Sequence, residues 1–230
     1  VGAESLVRWH NPVLGPISPD MFIHIAEESN LILDLSHWIT RSVCDFASRL
    51  YESLPEGSSF KYLSINISPR QFMQQDFVER ILDDITRSGV PTHFIKLEFT
   101  ENILAQNIDQ VIDKMNELNE NNIEFLLDDF GTGYSSLSYL QKLPVRILKI
   151  DKSFVSDFNS HTEESKVIVD AILVMADKLG VKCIVEGVEK QEDVDHFTAR
   201  NVFGMQGYFF HVPMKDASLL ELLNDPGQDQ

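Results

Sequence analysis

Short apolar runs alternate with longer amphipathic ones along this chain. The short runs read as strands: "ESLVRW", "YLSINIS", "FIKLEFT", "EFLLDD", "RILKID", "KCIVEGV" and "MQGYFF". They are rich in Ile, Val, Leu and Phe. Several are apolar on both faces, the pattern of parallel strands covered on two sides. Between them the apolar period lengthens to that of a helix. Ser18-Pro19-Asp20 predicts a helix start, with Ser18 as cap and Pro19 in the first turn. Met21, Phe22, Ile25 and Ala26 follow at helical spacing. A second helix is predicted over about 108–118. A third opens at Thr162-Glu163-Glu164 and carries Val167, Ile168, Ala171, Ile172 and Met175 on one face. Gly180 suits its stop. Strand alternating with helix over 230 residues predicts one α/β domain spanning 1–230, a (β/α) barrel, with a doubly wound open sheet as the structural alternative.

Composition narrows the function. The 36 acidic side chains outnumber the 19 basic ones, for a net charge of −17. Such a field repels polyanions, which argues against a protein that coats DNA or RNA. A small anionic ligand stays admissible if cations screen its site. Cys44 and Cys183 are far apart and lack metal-ligand spacing, so they are expected to be reduced thiols of an intracellular, cytoplasmic protein. No apolar run approaches the length of a membrane-spanning helix and no signal peptide is visible. The chain opens in strand-like sequence at Val1, which predicts a fragment of something longer, with a membrane anchor elsewhere in it still compatible.

The polar residues inside the strand runs carry the chemistry. Glu4 sits in the first run, Asn66 in the second and Glu98 in the third. Asp128 and Asp129 end the fourth, Lys149 is in the fifth, Glu186 in the sixth and Gln206 in the last. A lone Glu in a strand is more often a solvated face or an ion pair than a ligand. Polar groups recurring in strand after strand would be costly if they merely interrupted a core. A barrel gathers the C-terminal ends of its strands at one mouth. Converging carboxylates cannot all ionise there without cations. Oxygen donors without His or Cys favour Mg²⁺ or Mn²⁺ over Zn²⁺. Asp128 and Asp129 are neighbours, so strict alternation would point them to opposite faces. A bend at the glycine loop after them is expected to let both reach a metal pair, a device suited to phosphoester hydrolysis. The Gly131-Thr132-Gly133 segment alone is weak evidence for a phosphate loop, and no Gly-x-Ser-x-Gly elbow is present.

These residues resemble the EAL domains, a family of cyclic di-GMP phosphodiesterases. "GAESLVRW" resembles the signature segment, with Ser5 in place of the usual Ala. "SINISPRQF", "LEFTEN", "LLDDFGTGYSSLSYLQKLPVRILKIDKSFV", "IVEGVE" and "QGYFF" match the other motifs in order. The resemblance covers nearly the whole chain. It implies a TIM-like (β/α)8 barrel modified with one antiparallel strand. The family's first strand, with its Gln-Pro segment, is expected before Val1 and is missing from this chain, which predicts an open seam.

The resemblance also implies roles. Glu4, Asn66, Glu98 and Asp128 look like ligands of a first divalent metal; Asp128 and Asp129 would serve a second, with Glu186 nearby. Lys149 resembles the lysine that holds the attacking water, and Glu186 is a candidate general base beside the catalytic Asp129. Arg8 is similar to the residue that grips a substrate phosphate, with Leu6, Gln206 and Glu189 as further substrate contacts. Glu101 looks like the anchor of the loop from Phe130 to Ser136, which couples the metals to a homodimer interface in this family. The implied reaction converts cyclic di-GMP to linear pGpG with Mg²⁺ or Mn²⁺; Ca²⁺, with its longer bonds and looser shell, is expected to be inhibitory. Attached sensory or GGDEF-type domains are compatible with it. The competing reading is a catalytically silent cyclic di-GMP receptor, which would usually have lost a metal carboxylate or the lysine; this sequence keeps the set.

Overall fold

The computed structural model describes residues 1–131, 140–159 and 163–224. Its contacts divide the chain into two compact units. One holds Val1–Leu97, Glu120–Ile123 and the segment from Lys215 onward; the other holds Glu98–Asn119 and Glu124–Met214.

The first unit contains β1 (Gly2–Ser5), β2 (Trp9–Asn11), β3 (Gly15–Ile17), α1 (Pro19–Glu28), α2 (Ile32–Ser53), β4 (Tyr62–Asn66), α3 (Pro69–Phe72) and α4 (Phe77–Ser88). β1 and β4 pair in parallel, with Glu4 beside Ser64. β2 and β3 form a separate two-stranded antiparallel sheet, in which Gly15 opens β3 with φ of 76°. Ser18 starts α1 through its carbonyl, which accepts the N–H groups of Met21 and Phe22. Phe22 and Ala26 are buried, whereas Met21 and Ile25 are exposed, so only half of the expected apolar face is covered. α2 and α4 pack against each other; Cys44, Ala47 and Leu50 are buried on α2, and Phe77, Ile81 and Ile85 on α4. Asp84 is buried at this seam within 3.6–3.8 Å of His37, Arg41 and Arg87. Burial pushes its carboxyl up and the surrounding cationic groups oppose the push.

β5 (Ile95–Thr100) begins in the first unit and ends in the second. The second unit continues with α5 (Ile108–Glu120), β6 (Glu124–Phe130), β7 (Ile147–Ile150), α6 (Lys152–Asn159), α7 (Glu163–Leu179), β8 (Lys182–Val185), α8 (Gln191–Thr198) and β9 (Gly204–Met205); α9 (Asp216–Asn224) returns to the first. β6, β7, β8 and β9 pair in parallel in that order. α6 and α7 lie between β7 and β8 in sequence and α8 lies between β8 and β9, the α/β arrangement that the alternating pattern predicts.

The α7 face differs from expectation. Val169, Ile172 and Ala176 are the buried positions, while Val167 (65%), Ile168 (45%) and Val174 (61%) are exposed. The helix carries two apolar stripes, and periodicity alone does not say which one meets the sheet. Thr162, read as part of its start, lies outside the described residues. Cys44 and Cys183 are unpaired and buried, and burial pushes each thiol up to about 12. Among the described residues no helix is long and apolar enough to cross a membrane.

Candidate active site

Strand periodicity builds the site. Leu126 on β6, Ile147 on β7 and Ile184 on β8 form one buried apolar cluster. Side chains two residues further along a strand share the same face. Those residues are Asp128, Lys149 and Glu186, so a polar layer sits directly above an apolar one. Glu98 joins it from β5. The Lys149 ammonium lies 2.8 Å from Glu98 Oε2, 2.7 Å from Glu186 Oε1 and 3.2 Å from Asp128 Oδ1. Lys149 and Glu98 are each 1% exposed, so little water stabilises these charges. Mutual pairing therefore holds them, and one cation faces more carboxylates than it can neutralise.

Asp129 reaches the same side by a route the sequence reading placed one step too late. The bend is at Asp129 itself, which takes φ of 53°, and the β6–β7 register slips between Leu127 and Phe130. A bulge of this kind re-aims a side chain, and Asp tolerates the left-handed region better than most residues. The Asp129 N–H donates to Asp128 Oδ1 at 3.0 Å. One oxygen from each of Asp128, Asp129 and Glu186 can lie within 4.8 Å of the others, a hard-oxygen set of the kind that holds a divalent cation.

Gly131 follows with φ of 99°, and its N–H donates to Glu101 Oε1 at 2.8 Å. A Cβ there would come within 2.7 Å of the Phe154 ring. Glu101 thus fastens the chain two residues past Asp129 and also opens a 3₁₀ turn, Glu101–Ala105. Thr132 to Ser136 of the expected loop lie outside the described residues.

Glu186 and Gln206 stand one residue past the ends of β8 and β9, not inside them as the strand runs suggested. The Gln206 backbone still continues the ladder, donating to Val185 O at 2.8 Å and accepting from Val188 N–H at 3.1 Å. Glu189 is exposed and its N–H donates to Asp193 Oδ2 at 3.3 Å. Asp151, two residues after Lys149, accepts from Ser153 N–H at 2.9 Å and starts α6. In the first unit Glu4 and Asn66 share a face of β1 and β4, and Asn66 Nδ2 donates to Glu4 Oε1 at 2.7 Å. Leu6 and Arg8 are exposed just after β1, where Arg8 Nη1 donates to the Val7 carbonyl at 3.0 Å. The sequence reading passed over Asp193, a buried carboxylate on α8, because an acidic residue in a first turn reads as a solvated helix start.

Residues 1–213 match the family model for the EAL domain. The cyclic di-GMP phosphodiesterase NbdA of Pseudomonas aeruginosa is 35% identical over 220 residues, covering 96% of this chain and 28% of that protein. The probable cyclic di-GMP phosphodiesterase PdeG of Escherichia coli strain K12 is 35% identical over 225 residues, covering 96% of this chain and 43% of that protein. The chain therefore spans less than half the length of either relative. Among solved structures, the EAL enzyme Bd1971 in its cAMP- and cyclic-di-GMP-bound form aligns with a TM-score of 0.91 at 34% identity, over 96% of this chain and 60% of that one.

Proposed function

Since the chain belongs to the EAL domain family, we propose that it hydrolyses cyclic di-GMP to linear pGpG. Water adds across one phosphodiester bond, the P–O3′ bond breaks, and the 3′ oxygen leaves as a hydroxyl. The observation that carries this reading is the Lys149 ammonium held among Glu98, Asp128 and Glu186 with Asp129 turned onto the same side. Asp128, Asp129 and Glu186 would hold divalent cations, Mg²⁺ or Mn²⁺. When bound, such cations stabilise charge on the phosphate, attacking and leaving oxygens. Lys149 orients the attacking water by hydrogen bonding, and Glu186, 2.7 Å from Lys149, accepts its proton. Glu101 holds the backbone beyond Asp129 so that both aspartates keep their direction. The reading treats 1–230 as one EAL domain, since the family match runs through both compact units.

A homodimer belongs to the same proposal. Val167, Ala171 and Val174 recur on one exposed face of α7 with Ile168 beside them, an apolar stripe that a second copy would cover. Val174→Glu should shift sedimentation toward the monomer; an unchanged sedimentation coefficient would remove α7 from the interface.

The deciding experiment varies the ion. Cyclic di-GMP is incubated with the protein and Mg²⁺, Mn²⁺ or Ca²⁺, binding is measured by calorimetry, and pGpG is followed by chromatography. Product with Mg²⁺ and Mn²⁺, and binding with little product for Ca²⁺, is expected, because Ca²⁺ keeps longer bonds and a looser shell. Binding without product in every ion would make the protein a receptor.

A further inference from the structure

β8 ends at Val185, and the next five residues carry the chain into α8. Glu186 is the first of them, so its direction depends on how both ends of this segment are held. The near end is tied to the sheet: Glu186 N–H donates to Ile150 O at 3.0 Å. The middle is packed without slack. Gly187 takes φ of 71°, and a Cβ there would come within 2.5 Å of Lys152 Cβ. A Cβ on Gly207 would come within 2.1 Å of Val188 O. Val188 is paired on both sides, its N–H to Gln206 O at 3.1 Å and its carbonyl to Phe209 N–H at 3.0 Å. Past Val188 this ladder gives way to a side chain. The N–H groups of Glu189 and Lys190 both donate to Asp193 Oδ2, at 3.3 and 3.1 Å.

Asp193 is 1% exposed, and its other oxygen, Oδ1, is buried with no hydrogen-bond partner among the described residues. Lys190 precedes α8 and has no side-chain oxygen with which to cap it. An aspartate serving only as a helix start would stand at the surface, where its charge costs little. This one is buried, and it reaches back across the helix start to the two residues before it.

We propose that Asp193 is a positioning residue for Glu186: it fixes the far end of the 186–190 segment and so aims the Glu186 carboxylate at Lys149. The inference rests on the phosphodiesterase reading of that site. One oxygen of Asp193 makes both bonds and the other makes none, so the acceptor and not the charge is the working part. An asparagine can present the same acceptor; an alanine cannot.

The test compares the parent with Asp193→Ala and Asp193→Asn under Mn²⁺. Turnover of cyclic di-GMP by the parent is measured first. Asp193→Ala is expected to lower kcat about tenfold, because small misplacements of reacting groups are costly, with KM nearly unchanged. The Mn²⁺ concentration for half-maximal rate should rise by a similar factor. Asp193→Asn should stay within about threefold of the parent in both quantities. Melting temperatures are recorded alongside. A lower melting temperature for Asp193→Ala with unchanged kcat and Mn²⁺ dependence would mean that Asp193 only begins α8, and the proposal would fall. It would fall equally if Asp193→Asn were as impaired as Asp193→Ala. A parent that makes no pGpG would instead defeat the phosphodiesterase reading. Calorimetric Mn²⁺ binding then decides for Asp193: weaker binding by Asp193→Ala and not by Asp193→Asn supports its role, and equal binding by all three proteins overturns it.

Discussion

The Lys149 ammonium and the Glu186 carboxylate meet at 2.7 Å, one from within β7 and the other from just past the end of β8. Neither strand needs an irregular backbone to bring them together. Lys149 pairs in register with Ile184, so Glu186 arises two residues further along the neighbouring strand on the same face.

Lys149→Ala should lower kcat by about a hundredfold or more while leaving KM for cyclic di-GMP within a few-fold, if the lysine acts on water. Steady-state kinetics under Mg²⁺ decides it; a loss confined to KM would assign Lys149 to substrate binding. The same change removes the close partner of Glu98, a carboxylate only 1% exposed. Breaking such a buried pair costs about 3–5 kcal/mol, so chemical denaturation should show a lower midpoint.

Asp128→Asn keeps the size of the side chain and removes an anionic oxygen that lies 3.2 Å from Lys149 and belongs to the Asp128, Asp129 and Glu186 set. Turnover should vanish even at saturating Mg²⁺, and calorimetry should show weaker Mn²⁺ binding. Rates equal to the parent's would end the two-cation proposal.

Glu101→Ala touches none of the cluster, yet it removes the acceptor of the Gly131 N–H. Weaker Mn²⁺ binding and a lower kcat are expected, since the chain just past Asp129 loses its tether. If Glu101 only opens the 3₁₀ turn, the melting temperature will drop slightly while kinetics and ion affinity stay as they were.

A pH effect is expected at an ion pair outside the carboxylate cluster. The hydrogen bonds from Arg200 hold the Asp170 carboxyl below its usual range. A depressed carboxyl contributes its stability above the unfolded pKa and loses it as pH falls through the folded one. Melting temperatures of Asp170→Asn and the parent should therefore differ at neutral pH and converge below about pH 4. The difference should be small because the pair is partly exposed. A gap that persists at pH 2 would mean the aspartate acts by packing.

Much of the site was legible because polar residues recur in strand after strand and a barrel gathers its strand ends at one mouth. Asp128, Lys149 and Glu186 were marked in that way, and their roles came from the resemblance. The turn of Asp129 onto their side was not legible. It depends on a backbone angle at one residue, and the visible glycines drew the expected bend to the loop after it. The long helices α2 and α4 were not singled out either, although their apolar residues recur at helical spacing. On α7 the periodicity found a helix but chose a face that is partly exposed, because two apolar stripes compete. Asp193 was invisible for a different reason: its importance lies in burial and in backbone groups earlier in the chain, and neither leaves a mark in residue type.

The left-handed residue at Asp129 makes adjacent positions inherit as a pair. An ordinary strand lets each inward residue be exchanged separately, because its neighbours face the other way. Here deleting either aspartate would remove the bulge and leave one carboxylate where there are two, while Phe130 kept its pairing with Ile150. A β-branched residue at 129 would keep the count but resist φ of 53°. A lineage that lost this kink could recover an oxygen by one substitution, yet not its direction. Silent descendants of such a protein should therefore stay silent more readily through length changes here than through exchanges of single side chains.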